Sequence, residues 1–165
     1  MNLASLVVRS SSIHAAGCYT TEPIRKGTRV CEYSGKRLAK ALADERYADR
    51  PVTYLFTCSH NQVIDGFGTA MFLNHSCDPN CETIQDDGDG PVYIVAIRAI
   101  AAGEELVYEY NLHDSDEGDG ADCYCGAKAC RGTMFSDEEV KRRARLAKRT
   151  AAKRKAASKR RTVAA

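Results

Sequence analysis

The sequence predicts a mostly β domain that a cluster of cysteines closes and a basic arm follows. Short apolar or alternating segments separated by turn residues run through most of the chain before residue 111 and are typical of strands. Three cysteines, Cys123, Cys125 and Cys130, lie close together after these segments. From residue 140 to the end, the chain carries 12 Lys or Arg and no acidic residue. A β body, a thiol-rich closure and a charged arm are therefore expected in that order.

Length and charge set the frame for this prediction. At 165 residues, with 44% hydrophobic residues, the chain has room for one globular domain with a modest core. Subtracting the 12 cations of the arm from the totals of 24 cations and 22 acids leaves 12 cations and 22 acids, a net charge of −10, in residues 1–139. A body of this charge attracts basic partners.

The N-terminal segment and the cysteine usage indicate an intracellular protein with no membrane partner. Residues 1–8 contain a short apolar run without a basic flank, and no later segment has the length of a membrane span. Eight cysteines in a short chain can form a disulfide framework, but without a secretory signal the clustered thiols favour a metal. We expect the nucleus or chromatin if the protein is eukaryotic, and the cytoplasm or nucleoid if it is bacterial.

The first half of the chain predicts two strands, a helix and a hairpin. Small and polar residues mark the turns, and a stretch rich in Ala, Leu, Lys and Glu before Pro51 favours the helix. The predicted elements are a strand at 4–8, a small-residue turn at 11–19, a strand at 28–33, a helix at 36–47 and a hairpin of 52–56 with 62–65.

The second half predicts a tight loop, two strands and a terminal helix. Ser136 and Glu139 have the spacing of a capping box, in which the two side chains bond each other's backbone N–H groups. The predicted elements are an ordered loop at 74–80, a turn at 86–90, strands at 92–97 and 105–110, a connector at 112–122 and a helix over about 140–161.

The cysteines divide into a metal set and a buried set. Cys123, Cys125 and Cys130 offer three thiolates where a tetrahedral zinc site needs four, and Cys77 in the predicted loop is the candidate for the fourth. The remaining cysteines are expected to be ordinary small buried residues; they are Cys18, Cys31, Cys58 and Cys81.

Three separated motifs carry a resemblance to a known family. They are the run from Phe72 to Cys81, with its Asn-His-Ser-Cys, the Cys-x-Cys-x4-Cys cluster, and Gly103-Glu104-Glu105-Leu106-Val107-Tyr108-Glu109-Tyr110. Together they resemble the SET-domain protein lysine methyltransferases that carry a post-SET zinc cluster. The resemblance covers residues 11–133 and implies small curved sheets with a pseudoknot, in which the segment near Tyr108 threads a loop near Asn74. It divides the chain into a SET domain (1–111), a connector and zinc cluster (112–135) and a basic helix or tail (136–165).

The resemblance also implies a set of site residues. Tyr110 corresponds to the essential tyrosine of the lysine channel, Tyr54 to a residue that lines the channel or touches the methyl donor, and Tyr108 to a Phe/Tyr switch. S-adenosylmethionine is the implied cofactor, and the implied cofactor-binding residues are His14, Ala16, Tyr54, Asn74, His75 and Tyr124. Zinc is implied at Cys77, Cys123, Cys125 and Cys130. For any one of the tyrosines, the plainer interpretation is an amphipathic core residue. For His14, neither a cofactor contact nor an ordinary surface residue is favoured.

The chemistry of lysine methylation suits tyrosines. Free lysine has a pKa near ~10.4, so its amine must lose a proton, and an apolar channel assists that loss. We expect Tyr108 and Tyr110 to point to opposite faces of one strand and to act on the amine from different sides. On this assignment the products are mainly mono-methyl lysine with some di-methyl lysine.

Departures from the family pattern bear on the cofactor and the substrate. Ala15 stands where the family has Gly, and the segment between Asp65 and Phe72 is shortened and lacks the usual Arg. Residues 36–47 correspond to the family's variable insert, which forms one wall of the substrate groove. This insert is short, so we expect weak selection of substrates by that wall or its completion by a partner. The expected substrate is a basic, histone-like or nucleoid-associated tail.

Alternatives remain open at this point. The basic arm is either a solvated helix or a nucleic-acid anchor that contacts phosphates without reading bases, and it also resembles a methylation substrate. A non-catalytic chromatin or DNA-binding module, and a methyltransferase for a ribosomal or other non-chromatin protein, are the rival functions. The sequence leaves the oligomeric state open.

Overall fold

The computed structural model describes residues 5–50, 52–59, 61–113 and 121–163. It contains ten short strands, two α-helices and one short 3-10 helix (Thr69–Phe72) in its described part. In chain order the strands are β1 (Leu6–Ser10), β2 (Ala16–Thr20), β3 (Arg29–Glu32), β4 (Gly35–Ala39), β5 (Leu55–Ser59), β6 (Gln62–Gly66), β7 (Asn74–His75), β8 (Cys81–Gln85), β9 (Val92–Ala96) and β10 (Glu105–Tyr108). The helices are α1 (Lys40–Tyr47) and α2 (Asp137–Val163).

Two sheets make up the body, as the predicted mostly β fold requires. The larger one has the order β1-β2-β10-β8-β9-β3, with β7 paired to β10, and the smaller one has the order β4-β6-β5. Strand β9, with the sequence Val-Tyr-Ile-Val-Ala, is buried along almost its whole length because its β-branched residues face packed structure on both sides. Its neighbours complete a core whose fully buried members include Val30, Ile94 and Leu106.

Strand β10 lies at the centre of the larger sheet and forms the crossing that the resemblance implied. It pairs antiparallel with β2 and parallel with β7 and β8. Asn80, which is 1% exposed, fixes the loop between β7 and β8 to β10: its side-chain Oδ1 accepts from the Val107 N–H at 2.9 Å, and its Nδ2 donates to the Glu105 carbonyl at 2.7 Å. The loop at 74–80 is therefore tightly held, as predicted.

The local structure departs from the predictions at several points. The turn predicted at 11–19 is a strand, β2, from Ala16 onward. The predicted helix at 36–47 is helical only from Lys40, because Gly35–Ala39 forms β4 and pairs with β6. A Cβ atom at Gly35 would lie 2.0 Å from the Asp65 carbonyl oxygen, so glycine is what lets these strands approach. Strand β8 was not predicted, although its burial alternates along the chain. The strand predicted at 4–8 begins at Leu6, and the hairpin consists of β5 and β6.

The C-terminal helix begins earlier than predicted and is capped by half of the predicted box. The Glu139 N–H donates to the Ser136 hydroxyl at 3.1 Å. The Ser136 N–H instead donates to the Leu112 carbonyl, and the buried Glu139 carboxylate accepts hydrogen bonds from Arg142 and Arg143 at 2.6 to 2.7 Å. The helix start is thus anchored to the body, whereas most of the predicted connector at 112–122 lies outside the described residues.

The four cysteines outside the metal set are internal or partly internal. Cys18 and Cys81 are fully buried, Cys58 is 9% exposed and Cys31 is half-buried. Burial is the main cause that raises the pKa of Cys18, Cys31 and Cys81 to about 12. These thiols are therefore neutral packing residues at ordinary pH, as expected.

Candidate active site

A cavity of about 700 Å³ opens between strand β5 and the residues that follow β10. Four tyrosines line it, and three of them were predicted site residues: Tyr54, Tyr108 and Tyr110. The fourth, Tyr33, is buried and donates its hydroxyl to the Tyr54 carbonyl at 3.0 Å. No local pattern in the sequence predicts that Tyr33 reaches this cavity. The result is a recess with aromatic walls and phenol groups, which suits a long apolar side chain with a polar end.

The two tyrosines at the end of β10 are neighbours, which corrects the expectation that they point to opposite faces. Their ring centroids lie 4.9 Å apart. Alternation places residues i and i+2 of an extended chain on the same side. Tyr108 and Tyr110 therefore form one wall of the cavity, the tyrosine wall. The Tyr110 hydroxyl donates to the Leu73 carbonyl at 2.8 Å, which joins this wall to the segment before Asn74.

Burial keeps these phenols protonated. It raises the pKa of Tyr110 to about 12, with a smaller contribution from the nearby Tyr54, and it raises the pKa of Tyr108 well above its ordinary value. Burial is also the main cause that raises the pKa of Tyr33. The hydroxyls can therefore donate and accept hydrogen bonds at neutral pH, but they are too weakly acidic to carry charge there.

Asn74 and His75 are both buried on β7, beside the tyrosine wall. The Asn74 amide donates to the Ala16 carbonyl at 2.9 Å, which joins two of the predicted cofactor-binding residues. His75 Nδ1 accepts from the Tyr110 N–H at 3.3 Å, and the rings of His75 and Tyr110 lie 5.4 Å apart. Burial is the main cause that lowers the pKa of His75, so the imidazole is neutral at physiological pH.

Two of the other predicted cofactor-binding residues, His14 and Tyr124, are exposed at the surface. His14 is exposed and lies in the bend between β1 and β2, whereas Ala16 is half-buried at the start of β2. Tyr124 is 71% exposed. The structure thus groups Ala16, Asn74, His75 and Tyr110 by direct contacts, and it leaves His14 and Tyr124 as open side chains.

The predicted metal set comes together in space. The four cysteine sulfurs of Cys77, Cys123, Cys125 and Cys130 all lie within 4.8 Å of one another. Cys77 Sγ and Cys123 Sγ are 3.8 Å apart, which matches the ~3.8 Å edge of a tetrahedron built with ~2.3 Å zinc–sulfur bonds. This donor set and spacing fit a structural metal, and the group can hold one.

One thiol of the set has a depressed pKa. Burial raises the pKa of Cys125, but hydrogen bonds from the backbone N–H groups of Cys77 and Ala127 and from the neighbouring thiols outweigh burial and lower it to about 6. The Cys77 N–H lies 3.5 Å from Cys125 Sγ. A thiolate that the backbone already stabilises is a ready metal ligand.

A chain of polar contacts joins the cysteine cluster to the tyrosine wall, and sequence reasoning missed it. Arg131 donates through its backbone N–H to Cys77 Sγ at 3.5 Å, and its guanidinium contacts the Glu109 carboxylate at 2.7 Å. The other oxygen of Glu109 lies 3.2 Å from His75 Nδ1. Arg131 follows directly on Cys130 and Glu109 precedes Tyr110, so the motifs pointed to both positions without revealing that they pair.

Glu105 and Ser11 were missed as well. The Glu105 carboxylate accepts a hydrogen bond from the Asn74 amide at 2.7 Å and from the Ser11 hydroxyl at 2.9 Å. Ser11 and Glu105 are 94 positions apart in the chain. Only the sheet topology, which sets β2 beside β10, brings them together.

None of the helices in the described part of the chain combines the length and the apolar character that a membrane crossing needs.

Comparison with known proteins gives one family and a consistent set of relatives. The family model of the SET domain matches residues 15–111. A histone-lysine N-methyltransferase, H3 lysine-4 specific, from Kluyveromyces lactis is 38% identical over 135 residues, which is 75% of this chain and 14% of that protein. Histone-lysine N-methyltransferase ATX2 from Arabidopsis thaliana is 36% identical over 152 residues, covering 86% of this chain and 14% of the relative.

A third relative extends the range of organisms. Histone-lysine N-methyltransferase trithorax from Drosophila virilis is 39% identical over 130 residues, which is 73% of this chain and 3% of that protein. The chain therefore spans 14% or less of the length of these three relatives. The similarity concerns one shared region and not the whole of the larger proteins.

Proposed function

Because the chain belongs to the SET-domain family, we propose that it transfers methyl groups from S-adenosylmethionine to lysine side chains of a histone. The observation that carries this proposal is the tyrosine wall and its direct contact with the Asn74–His75 strand. Tyr110 belongs to both, through its ring in the cavity and its N–H on His75. The lysine amine and the methyl donor must meet at one place. Tyr110 lies where the cavity adjoins the Asn74–His75 strand, and we propose that they meet there.

The residues present fit the methyl donor. The small side chains of Ala15 and Ala16 allow close approach of a ligand to the backbone, and Asn74 offers its amide oxygen beside Ala16. We propose that Ala16, Asn74 and His75 hold the donor, with His14, Tyr54 and Tyr124 as further contacts. When bound, the donor supplies an electrophilic methyl group on a sulfonium.

The tyrosines supply alignment and exclude water. The phenols of the buried Tyr108 and the half-buried Tyr110 are neutral, so they can orient a neutral amine without competing for its proton. Alignment of reacting groups is a large part of rate enhancement in a direct displacement. We propose that Tyr110 positions the amine, that Tyr54 lines the channel, and that Tyr108 limits the number of methyl groups added, so that mono- and di-methyl lysine are the products.

We propose that zinc occupies the four-cysteine cluster and has a structural role. Four thiolate ligands leave no open coordination position, which is typical of structural sites and not of catalytic ones. In this position the metal fixes the segment that carries Arg131 and Tyr124 against the body.

The proposed substrate is a basic histone tail, and the proposed location is chromatin in the nucleus. The three relatives described above are named for histone lysine and come from eukaryotes, which favours a histone over a nucleoid protein. The net charge of −10 in residues 1–139 favours a basic partner.

The test is methyl transfer to a panel of peptides. The full chain is incubated with isotope-labelled S-adenosylmethionine and with histone tail, ribosomal protein and self-derived peptides, and Tyr110→Phe serves as the inactive control. We expect label on lysine of histone peptides with wild-type protein and almost none with the control. Label on ribosomal peptides alone would move the substrate outside chromatin. Binding of S-adenosylhomocysteine without transfer to any peptide would favour a non-catalytic module.

A second proposal concerns the basic arm, which we infer to be a nucleic-acid anchor. Five exposed cations follow one another at helical spacing along one side of α2, over 13 residues or ~18 Å of helix; they are Lys141, Arg145, Lys148, Arg149 and Lys153. The helix start is held by Glu139 and by stacking of Arg143 on Phe135, with 4.0 Å between guanidinium and ring. An anchored row of cations fits a phosphate backbone without base recognition.

This second proposal has a matched test. Replacing the five arm cations by Gln in the full chain should weaken binding to duplex DNA by at least ~100-fold at low salt and flatten its salt dependence. Replacing five body cations by Gln should leave DNA binding within about 3-fold of wild type; suitable exposed positions are Arg25, Lys26, Lys36, Arg46 and Arg50. Equal losses in both variants would show that the arm is not the anchor.

A further inference from the structure

We propose that Glu105 is a positioning residue that fixes the side-chain amide of Asn74, so that Asn74 turns its oxygen toward the methyl donor. The inference rests on the proposed function and deepens it. Glu105 is the first residue of β10, and β10 separates it from the tyrosine wall at the other end of the strand. Its role is therefore in donor recognition and not in contact with the lysine.

The Glu105 carboxylate gathers donors from three separate parts of the chain. It accepts from the Ser11 hydroxyl at 2.9 and 3.0 Å, from the Tyr19 hydroxyl at 2.9 Å and from Asn74 Nδ2 at 2.7 Å. Ser11 lies in the bend that leads to His14, and Tyr19 lies on β2 directly opposite Glu105. One carboxylate thus joins the strand that carries Asn74 to the segment that carries Ala16.

The orientation of the Asn74 amide follows from its two acceptors. Nδ2 has two hydrogens, and it lies 2.7 Å from Glu105 Oε1 and 2.9 Å from the Ala16 carbonyl oxygen. The reverse orientation would place the amide oxygen against a carboxylate and a carbonyl, which repel it. The nitrogen must therefore face these acceptors, and the oxygen must face the other way.

The Asn74 oxygen is left open toward a ligand. It accepts no hydrogen bond from the described residues, although every buried side-chain nitrogen or oxygen among them has a partner. The oxygen is therefore accessible although Asn74 as a whole is only 7% exposed. An accessible acceptor of fixed direction in a nearly buried residue suits a ligand that brings N–H donors, such as the α-ammonium of the donor's amino-acid part.

Close packing holds the carboxylate in this place. A Cβ atom at position 17 would lie 2.2 Å from Glu105 Oε1 and 2.9 Å from the Ser11 Cβ, so only glycine fits there. Gly17 follows Ala16, and the carboxylate therefore packs directly on the backbone whose carbonyl is the second acceptor for Asn74. Neither acceptor can move without displacing the other.

The test compares two ligands on two variants of the full chain. S-adenosylhomocysteine and its analogue without the α-amino group are titrated calorimetrically into wild-type protein, Glu105→Gln and Glu104→Gln. Glu104 is the matched control, since its carboxylate binds Arg98, Asn80 and the Ala101 N–H on the other side of the strand. Methyl-transfer kinetics with saturating peptide are measured in parallel.

The expected result is a selective loss. A Gln at 105 can offer the Asn74 nitrogen only a neutral amide oxygen, which is a weaker acceptor than a carboxylate, and its own N–H groups must then find acceptors at Ser11 and Tyr19. The Asn74 amide is therefore held less firmly in its direction. We expect affinity of Glu105→Gln for S-adenosylhomocysteine to fall about 10-fold or more, while its affinity for the analogue stays within about 2-fold. The KM for the donor should rise to match, with KM for peptide and kcat little changed. Glu104→Gln should bind both ligands as wild type does.

Other outcomes would overturn the inference. An equal loss of both ligands by Glu105→Gln would mean that Glu105 only ties the strands together, and unchanged affinity for both would mean that it does not act on Asn74. If Glu105→Gln does not fold, Glu105→Asp keeps the charge but is one methylene shorter, and the same selective loss is expected there.

The ligand comparison also separates this inference from the proposed function. Selective loss in Glu105→Gln, in a protein that methylates no lysine peptide, would refute the methyltransferase and keep the positioning role. Failure of wild-type protein to bind S-adenosylhomocysteine would refute both.

Discussion

The β body and the cysteine segment at 121–136 are held together by different means. The body has ordered strand ladders around a core that includes Ile94 and Leu106, both fully buried. The cysteine segment has isolated bridges, Asp122 with Thr133 and Phe135 with Leu112, and its buried hydrophobic residues among those described are Ala121 and Phe135. Its remaining organisation comes from four thiols and from Arg131.

This difference indicates which parts of the site depend on a bound metal. The tyrosine wall and the Asn74–His75 strand belong to the body, whose burial of apolar surface provides its stability. The cysteine segment buries little apolar surface of its own, so we propose that its geometry depends on a metal. The two regions meet where Arg131 contacts Glu109 beside His75. Loss of the metal should therefore reduce activity while the β body stays folded.

The largest expected effect comes from removing a metal ligand. Cys77→Ser should lose the one zinc expected per chain and lower methyl transfer by at least ~100-fold, because the cysteine segment, which we propose completes the donor site, loses its anchor. The body should keep its β circular-dichroism signal. Cys31→Ala, in a thiol outside the cluster, serves as the control and should keep both zinc and activity. Full activity in metal-free Cys77→Ser would contradict the proposal that the cysteine segment needs a metal to support activity.

The next effect belongs to the body alone. Tyr110→Phe removes the hydroxyl that bonds the Leu73 carbonyl at 2.8 Å, and it should lower kcat by about 100-fold because the amine is no longer aligned. Zinc content and affinity for S-adenosylhomocysteine should stay close to wild type. Steady-state kinetics with a histone peptide measure this, and a kcat within 3-fold of wild type would count against the assigned role.

A moderate effect is expected at the junction. Arg131→Ala removes the 2.7 Å contact with Glu109 while leaving all four cysteines in place, so zinc should remain bound and methyl transfer should fall about 3- to 10-fold. Glu109→Gln should do the same.

A double-mutant cycle checks the junction. If the two side chains act through each other, the combination of Arg131→Ala and Glu109→Gln should be no worse than either change alone. Multiplied losses in the double variant would mean that the two residues act independently.

The smallest change in rate is expected at the other tyrosine of the wall. Tyr108→Phe should keep methyl transfer within about 3-fold of wild type but shift the products from mono- and di-methyl toward di- and tri-methyl lysine, because loss of the hydroxyl leaves room for a methylated amine to rotate. Mass spectrometry of a defined peptide gives the distribution. Mostly tri-methyl product from wild-type protein, or an unchanged distribution in the variant, would show that Tyr108 has another role.

Local motifs in the sequence predicted much of this architecture. The loop with Asn74, His75 and Cys77, the three C-terminal cysteines and the last strand are each encoded within a few residues, where turn chemistry and spacing are informative. The order of these motifs carried the family resemblance, which the comparison with known proteins confirmed.

The failures have a common physical cause. Gly35–Ala39 has the composition of a helix but pairs with β6, because tertiary contacts override a weak local preference. The contacts of Glu105 with Ser11 and of Arg131 with Glu109 link residues far apart in the chain. No local pattern predicts which of two neighbouring glutamates, Glu104 or Glu105, will bond Asn74, since the sheet topology decides it.

The central claim is that the body forms the donor site and the metal-held segment completes it. Calorimetric titration of S-adenosylhomocysteine into zinc-loaded and chelator-stripped protein, with hydrogen exchange on both forms, tests it most directly. We predict that the stripped protein keeps slow exchange at the amides of β8, β9 and β10 but binds S-adenosylhomocysteine at least ~10-fold more weakly. Unchanged affinity in the stripped protein, or loss of protection throughout β10, would contradict the claim.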